Sequence, residues 1–187
     1  MACARPAAFG ILVWKGKTHY LLRHAKSSWD DPTLPDHDRP LASRGRRASR
    51  IVAEHLREQA IAPSLVLCSS SRRTRETLKR ISPGFEQESE IQIEQDLYAT
   101  PASGLLARLH AVEPDVDSVM LIGHNPAIQE LALSLAGKGA QLERLREKFP
   151  TAALATLTFT AGWRQLGPGV AELVAFVTPS ALGRSAG

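Results

Sequence analysis

Cysteine is scarce: Cys3 and Cys68 are the only two in 187 residues, far apart and in unlike surroundings. That excludes a disulfide framework, and no Cys/His spacing suggests a metal site. So few thiols fit a reducing compartment, with the cytoplasm as the default. No apolar run approaches the roughly 20 residues that a membrane helix needs, so no membrane role is expected. The patch from Phe9 to Trp14 is short and is closed by Lys15 and Lys17 without a convincing cleavage site, which argues against a secretory signal. Aromatic residues make up only 5% of the chain, and few of them lie among its arginines. Base stacking is therefore poorly supported, and nucleic acid is not the expected partner. Repeats and low-complexity stretches are also missing.

What is present is an ordinary globular composition, 43% hydrophobic and 22% charged. A chain of this length hides about 70% of its unfolded surface, enough for one real core. Residues 1–17 read as a lead-in segment of uncertain order, and 18–187 as a single domain, expected to be a monomer. The net charge of +4 is unevenly spread. Arg39, Arg44, Arg46, Arg47, Arg50 and Arg57 crowd one region, and Arg72, Arg73, Arg75, Lys79 and Arg80 another. Such clusters suit nucleic acid, an anionic substrate or an acidic protein, although most such arginines simply solvate a helix face.

From Thr18 onward a pattern recurs: a short apolar run, a turn, then an amphipathic helix. Thr18-His19-Tyr20-Leu21-Leu22 predicts a buried strand, and a polar, proline-bearing loop follows to Pro40. Ser43 is placed to cap a helix running to Leu56. Ser64–Cys68 predicts a second strand, with a helix from near Ser71 to just before Pro83-Gly84. Ile91-Gln92-Ile93 and Ser118–Ile122 predict two more strands. Helices are predicted over 101–112, with Pro101 in the first turn, and over Ala127–Leu135. Ala153–Thr160 and Ala171–Val177 read as strands joined through Gly167-Pro168-Gly169. The alternation predicts a three-layer α/β/α sandwich with a mainly parallel sheet. Ligands in such sheets bind beyond the carboxyl ends of the strands.

Three predicted strands end in distinctive chemistry. Arg23-His24 follows the first, Cys68 and three serines with Arg72-Arg73 the second, and Gly123-His124-Asn125 the fourth. Two histidines alone are compatible with a metal pair, but adjacent guanidinium groups disfavour a cation and favour an anion. Arginine's planar fork matches phosphate oxygens, and the helix start near Ser71 adds aligned N–H groups. A neutral imidazole in such a pocket can attack phosphorus, which makes His24 a candidate nucleophile that needs no metal or other cofactor. Arg23, Arg73 and His124 would then stabilise the transferring group.

These segments resemble a known family. Arg23-His24-Ala25-Lys26-Ser27-Ser28-Trp29-Asp30 is similar to the R-H-G-x-S-x-W-N signature of the histidine phosphatase (phosphoglycerate mutase-like) superfamily. Ser69–Thr77 resembles its S-x-x-x-R-A-x-x-T segment, and Gly123-His124-Asn125-Pro126 the motif with its second histidine. The closest resemblance is to the small SixA-type branch, which lacks a large cap insertion and acts on phosphohistidine in signalling proteins. It implies His24 as nucleophile, Arg23 and Arg73 as phosphate ligands, His124 completing the pocket, and Ser27 and Asn125 as substrate contacts.

Three departures stand out. Ala25 replaces glycine, so its backbone must avoid conformations that only glycine tolerates. Asp30 replaces an asparagine near the phosphate, where a carboxylate would repel it. Leu97-Tyr98-Ala99 lacks the glutamate with which many members protonate an alkoxide leaving group, and Glu94, Asp96 and Asp31 are the candidate substitutes. An imidazole leaving group needs less help, which favours a phosphorylated protein, such as a histidine phosphotransfer domain, as partner. The alternatives are a small-molecule phosphomonoesterase of the same fold, or a non-catalytic module that binds phospho-ligands.

Overall fold

The computed structural model describes residues 16–183. Of the lead-in, residues 1–15 lie outside the described residues, and Lys17 already opens the first strand. β1 (Lys17–Arg23), β2 (Leu65–Ser69), β3 (Glu90–Glu94) and β4 (Ser118–Gly123) run parallel. β5 (Ala136–Lys138), β6 (Leu154–Phe159) and β7 (Ala171–Val177) complete a sheet of order β3-β2-β4-β1-β6-β7-β5. β6 alone opposes its neighbours β1 and β7, so the described sheet is mainly parallel, as expected.

Side chains along the central strands alternate between two cores. Leu22, Val66, Cys68, Met120 and Ile122 face α1 (Ser43–Glu58) and α2 (Arg72–Ile81), which contribute Val52, Leu56, Leu78 and Ile81. Leu21, Leu65, Leu67, Val119 and Leu121 face α3 (Ala102–His110), α4 (Ala127–Leu135) and α5 (Leu142–Glu147) on the other side. The short α6 (Pro179–Leu182) packs against α1. This is the three-layer sandwich. No large cap stands over the strand ends among the described residues, and no described helix is long and apolar enough to cross a membrane.

Two helix starts differ from expectation. α1 is capped by the backbone of Ala42, whose N–H donates to the Lys26 carbonyl (2.9 Å), while the Ser43 hydroxyl accepts from Arg46 (2.7 Å). Pro101 caps α3 from outside, its carbonyl accepting from Gly104 and Leu105. Ser71 does cap α2 with its side chain, accepting from Thr74 N–H. β5 and α5 escape sequence reading because three and six residues are too few to show a period. Gly45 carries one packing constraint directly: a Cβ there would lie 2.2 Å from the Lys26 carbonyl oxygen. Only glycine lets α1 press onto the loop that leaves β1.

Candidate active site

β1, β2 and β4 are neighbours, so the chemistry at their carboxyl ends converges. His24 leaves β1, and its backbone N–H donates to the Gly123 carbonyl at the end of β4 (3.0 Å). Arg73 sits in the first turn of α2, after β2, and is 7% exposed. His124 follows β4. The His24 and His124 rings are 5.0 Å apart between centroids, and Arg73 Nη2 reaches His124 Nδ1 at 3.4 Å. Arg23, His24, Lys26, Ser27, Trp29, Asp36, Arg39, Arg73 and Thr151 line a cavity of about 240 Å³. His124 does not line that space itself but abuts two side chains that do.

The hydrogen bonds assign the tautomers. His24 Nδ1 lies 2.8 Å from the Ala25 carbonyl, which can only accept, so Nδ1 carries the proton and Nε2 the lone pair. Arg73 donates toward His124 Nδ1, so His124 Nε2 carries the proton and donates to Ser69 Oγ (2.9 Å). Burial lowers the His24 pKa to about 3, and the charges of His124, Arg73 and Arg23 push the same way against the Ala25 hydrogen bond. Burial, then Arg73, lowers His124 to about 4. Both rings are neutral at physiological pH.

The cavity carries an excess of buried positive charge. Arg23 donates to the Phe149 carbonyl (2.7 Å), but its buried Nε has no partner. Arg39, 6% exposed, donates to Ser28 O, Asp36 Oδ1 and Ser27 Oγ. Asp36 is the one carboxylate among the lining residues, against three guanidinium groups. It accepts from Arg73 Nη2 (2.8 Å), Arg39 Nη1 (2.9 Å) and the Tyr98 hydroxyl (2.9 Å), and its own carbonyl accepts from Arg73 Nη1. Partial burial works to raise its pKa, but hydrogen bonds from Tyr98 and Arg73 and the Arg73 charge outweigh that and hold it low. An unpaired buried cation is costly, and an anion with several oxygens relieves that cost.

Arg23, His24, Arg73 and His124 are thus brought together. Ser27 lines the cavity, its hydroxyl oxygen held by Arg39. Asn125 stands aside, its Nδ2 donating to Gln129 Oε1 (3.2 Å) and to the Phe149 carbonyl that also holds Arg23 (3.3 Å). Ala25 is fully buried and free of positive φ, its N–H donating to Thr77 Oγ1 (3.0 Å). Asp30 lines a separate cleft. None of the three candidate acids reaches the cavity. Glu94 is bound by Arg108 (2.8 Å), Asp31 binds Thr33 (2.6 Å), and Asp96 is exposed. Asp36, Tyr98 and the Phe149 carbonyl were not singled out from sequence. The Asp36–Arg39 spacing, which suits an i,i+3 ion pair, was the available signal.

Comparison with known proteins agrees with this geometry. Residues 19–98 match the model of the histidine phosphatase superfamily (branch 1). An uncharacterised protein of Mycobacterium tuberculosis is 35% identical over 162 residues, covering 84% of this chain and 99% of that one. The candidate phosphohistidine phosphatase SixA of Agrobacterium tumefaciens superposes with TM-score 0.75 at 30% identity, covering 87% of this chain and 98% of its own. Its counterpart from Nakamurella multipartitia superposes equally well at 28% identity, with coverages of 88% and 96%. The match in sequence, fold and strand-end chemistry supports phosphatase activity, and the chain belongs to the histidine phosphatase superfamily.

Proposed function

We propose that the protein removes phosphate from phosphohistidine in a protein partner, through a covalent phosphohistidine on His24. The observation that carries the mechanism is the Nδ1–Ala25 hydrogen bond. It leaves His24 Nε2 as the free lone pair of a neutral ring beside Arg23, Arg73 and His124. Nε2 attacks phosphorus, the bond from phosphorus to the substrate nitrogen breaks, and the leaving imidazole keeps the electron pair. Water then attacks the phosphoryl group, the P–Nε2 bond breaks, and inorganic phosphate departs. Arg23 and Arg73 bind the equatorial oxygens. His124, neutral and accepting from Arg73 at Nδ1, steadies that guanidinium beside the transferring group.

Asp36 supports this substrate class. It is the one acid lining the cavity, and two arginines and Tyr98 favour its ionised form. It has no proton to give at neutral pH, so an alkoxide would leave unaided, forfeiting the typical 10²–10⁴-fold contribution of a general acid. An imidazole leaving group carries its own proton on the second nitrogen. The SixA neighbours are named as candidate phosphohistidine phosphatases, which points the same way.

The test is a parallel assay on a histidine-phosphorylated phosphotransfer domain and on p-nitrophenyl phosphate. The wild type should clear the protein faster. His24→Ala should lose about 10⁴–10⁶-fold in kcat, the scale seen when a covalent nucleophile is removed. Turnover of the ester alone would move the substrate to small phosphate esters. Binding of phosphate without turnover of either would leave a binding module.

A further inference from the structure

The two helices that start beside the cavity carry arginines that it leaves unused. α1 holds Arg44, Arg46, Arg47 and Arg50 in its first half, with no carboxylate before Glu54, and neither α1 nor α2 has an acid in its first turn. Cations in the first turn oppose the helix dipole and destabilise the helix. The i,i+3 spacing of Arg44, Arg47 and Arg50 adds like-charge repulsion. Fold stability therefore gives no reason for them. Arg75 and Lys79 are exposed on α2, which packs against α1. Arg44, Arg47, Arg50, Arg75 and Lys79 form no ion pair among the described residues.

Both helix starts stand beside the cavity. Arg73, inside it, belongs to the first turn of α2, and the backbone before α1 is bonded to the loop after His24. Leu41 N–H ties the two helices by donating to Glu76 Oε2 (3.0 Å), and Arg72 neutralises the same carboxylate (2.9 Å). Trp29 lines the cavity and is 68% exposed, with its ring centroid 3.1 Å from the Arg39 guanidinium carbon. Tryptophan and arginine dominate the binding energy of protein interfaces. From Arg44 to Arg50 the helix advances about 9 Å, farther than a small phosphate ester held at His24 extends. A nucleic acid would instead call for several stacking aromatics along a groove, and Trp29 is the one exposed aromatic among the described large hydrophobics.

We propose that Trp29 and the basic residues Arg44, Arg47, Arg50 and Arg75 dock a folded protein whose surface is acidic around the phosphorylated side chain it presents to His24. This rests on the phosphohistidine reading above and names the recognition surface for that partner.

The experiment compares wild type, Arg44→Glu/Arg47→Glu, Arg75→Glu and, as a remote control, Arg164→Glu. Each is assayed on an acidic histidine-phosphorylated phosphotransfer domain and on p-nitrophenyl phosphate across a salt series. The double variant should lose about tenfold or more in kcat/KM on the protein, within the 10–10³-fold range of electrostatic steering, with the ester rate unchanged. Its protein rate should also lose the steep salt dependence of the wild type. Equal losses on both substrates, no loss on the protein, or the same loss in Arg164→Glu would overturn the proposal. A wild type inactive on the phosphoprotein would sink the substrate reading instead. Titration with the unphosphorylated acidic domain at low salt then decides the surface by itself. Affinity lost in the double variant upholds it, whereas no wild-type affinity, or tighter binding to single-stranded DNA, refutes it.

Discussion

His19 and His24 lie on and just beyond the same strand, and burial lowers both, to about 4 and about 3. Their surroundings are otherwise opposite. His19 is fully buried in mid-strand, bonded through Nδ1 to the Val119 carbonyl and set edge-on to Trp163 with ring centroids 6.0 Å apart. Burial alone lowers it, against the Val119 hydrogen bond, with no arginine charge contributing. His24 stands at the strand end, where the sheet stops and the loop after β1, the start of α2 and the loop before β6 enclose a cationic space. A depressed histidine pKa thus does not single out a site by itself; the carboxyl-end position and the cationic neighbours are what distinguish His24 from His19.

The sharpest test of that contrast is to strip the strand end of one cation. Arg73→Ala should lower kcat/KM by about 10²–10³-fold, the usual loss when one charge-stabilising donor is removed. It should leave urea unfolding little changed, because Arg73 bonds chiefly to the half-exposed Asp36. Steady-state kinetics beside denaturation curves read both. A large stability loss with modest kinetic loss would put Arg73 in the same structural class as His19.

A smaller effect separates the histidines by pH. The unfolded chain takes up protons below the ordinary 6.5 that buried His19, His24 and His124 refuse. Stability is therefore complete above that value and declines as pH falls from 6.5 toward about 3. His19→Leu should flatten that decline in pH-dependent unfolding. The acid limb of kcat/KM, set by His24 and His124, should stay in place well below 6.5. Movement of that limb in His19→Leu would break the comparison.

The smallest effect concerns Asp36, the internal anion of the strand-end site. Asp36→Asn should tighten inhibition by orthovanadate several-fold, since Arg73 and Arg39 no longer share their charge with a carboxylate. The alkaline limb of the rate profile should not move if Asp36 donates no proton. Weaker inhibition would mean that Asp36 matters most by aiming the two guanidinium groups.

Much of the fold was readable because its signals are local. The runs around Leu21, Val66 and Leu121 are apolar on both sides, and both sides are covered by helices. The Ala127–Leu135 helix matches its apolar stretch residue for residue. Helix caps at Ala42 and Pro101 were not readable, since backbone carbonyls and a neighbouring loop made them. The same holds at the site. Arg23-His24, Arg73 and His124 announce themselves by following strands, whereas Asp36 sits in a proline-bearing loop whose path is set by contacts to Arg39 and Arg73.

The sequence by itself determined the chemistry on offer: a histidine beside an arginine at one strand end, an arginine and a second histidine at two others, and the periodicities that place those ends on one side of a sheet. The tertiary structure alone decided which nitrogen of His24 faces the cavity, and that Asp36 rather than Glu94, Asp96 or Asp31 is its carboxylate. It also decided that the Phe149 carbonyl, 126 residues from Arg23 along the chain, holds that guanidinium in place. Residue type and short-range spacing are written in neighbouring letters. Tautomer, ionisation and the aim of a side chain depend on burial and on partners that only packing brings within hydrogen-bond reach.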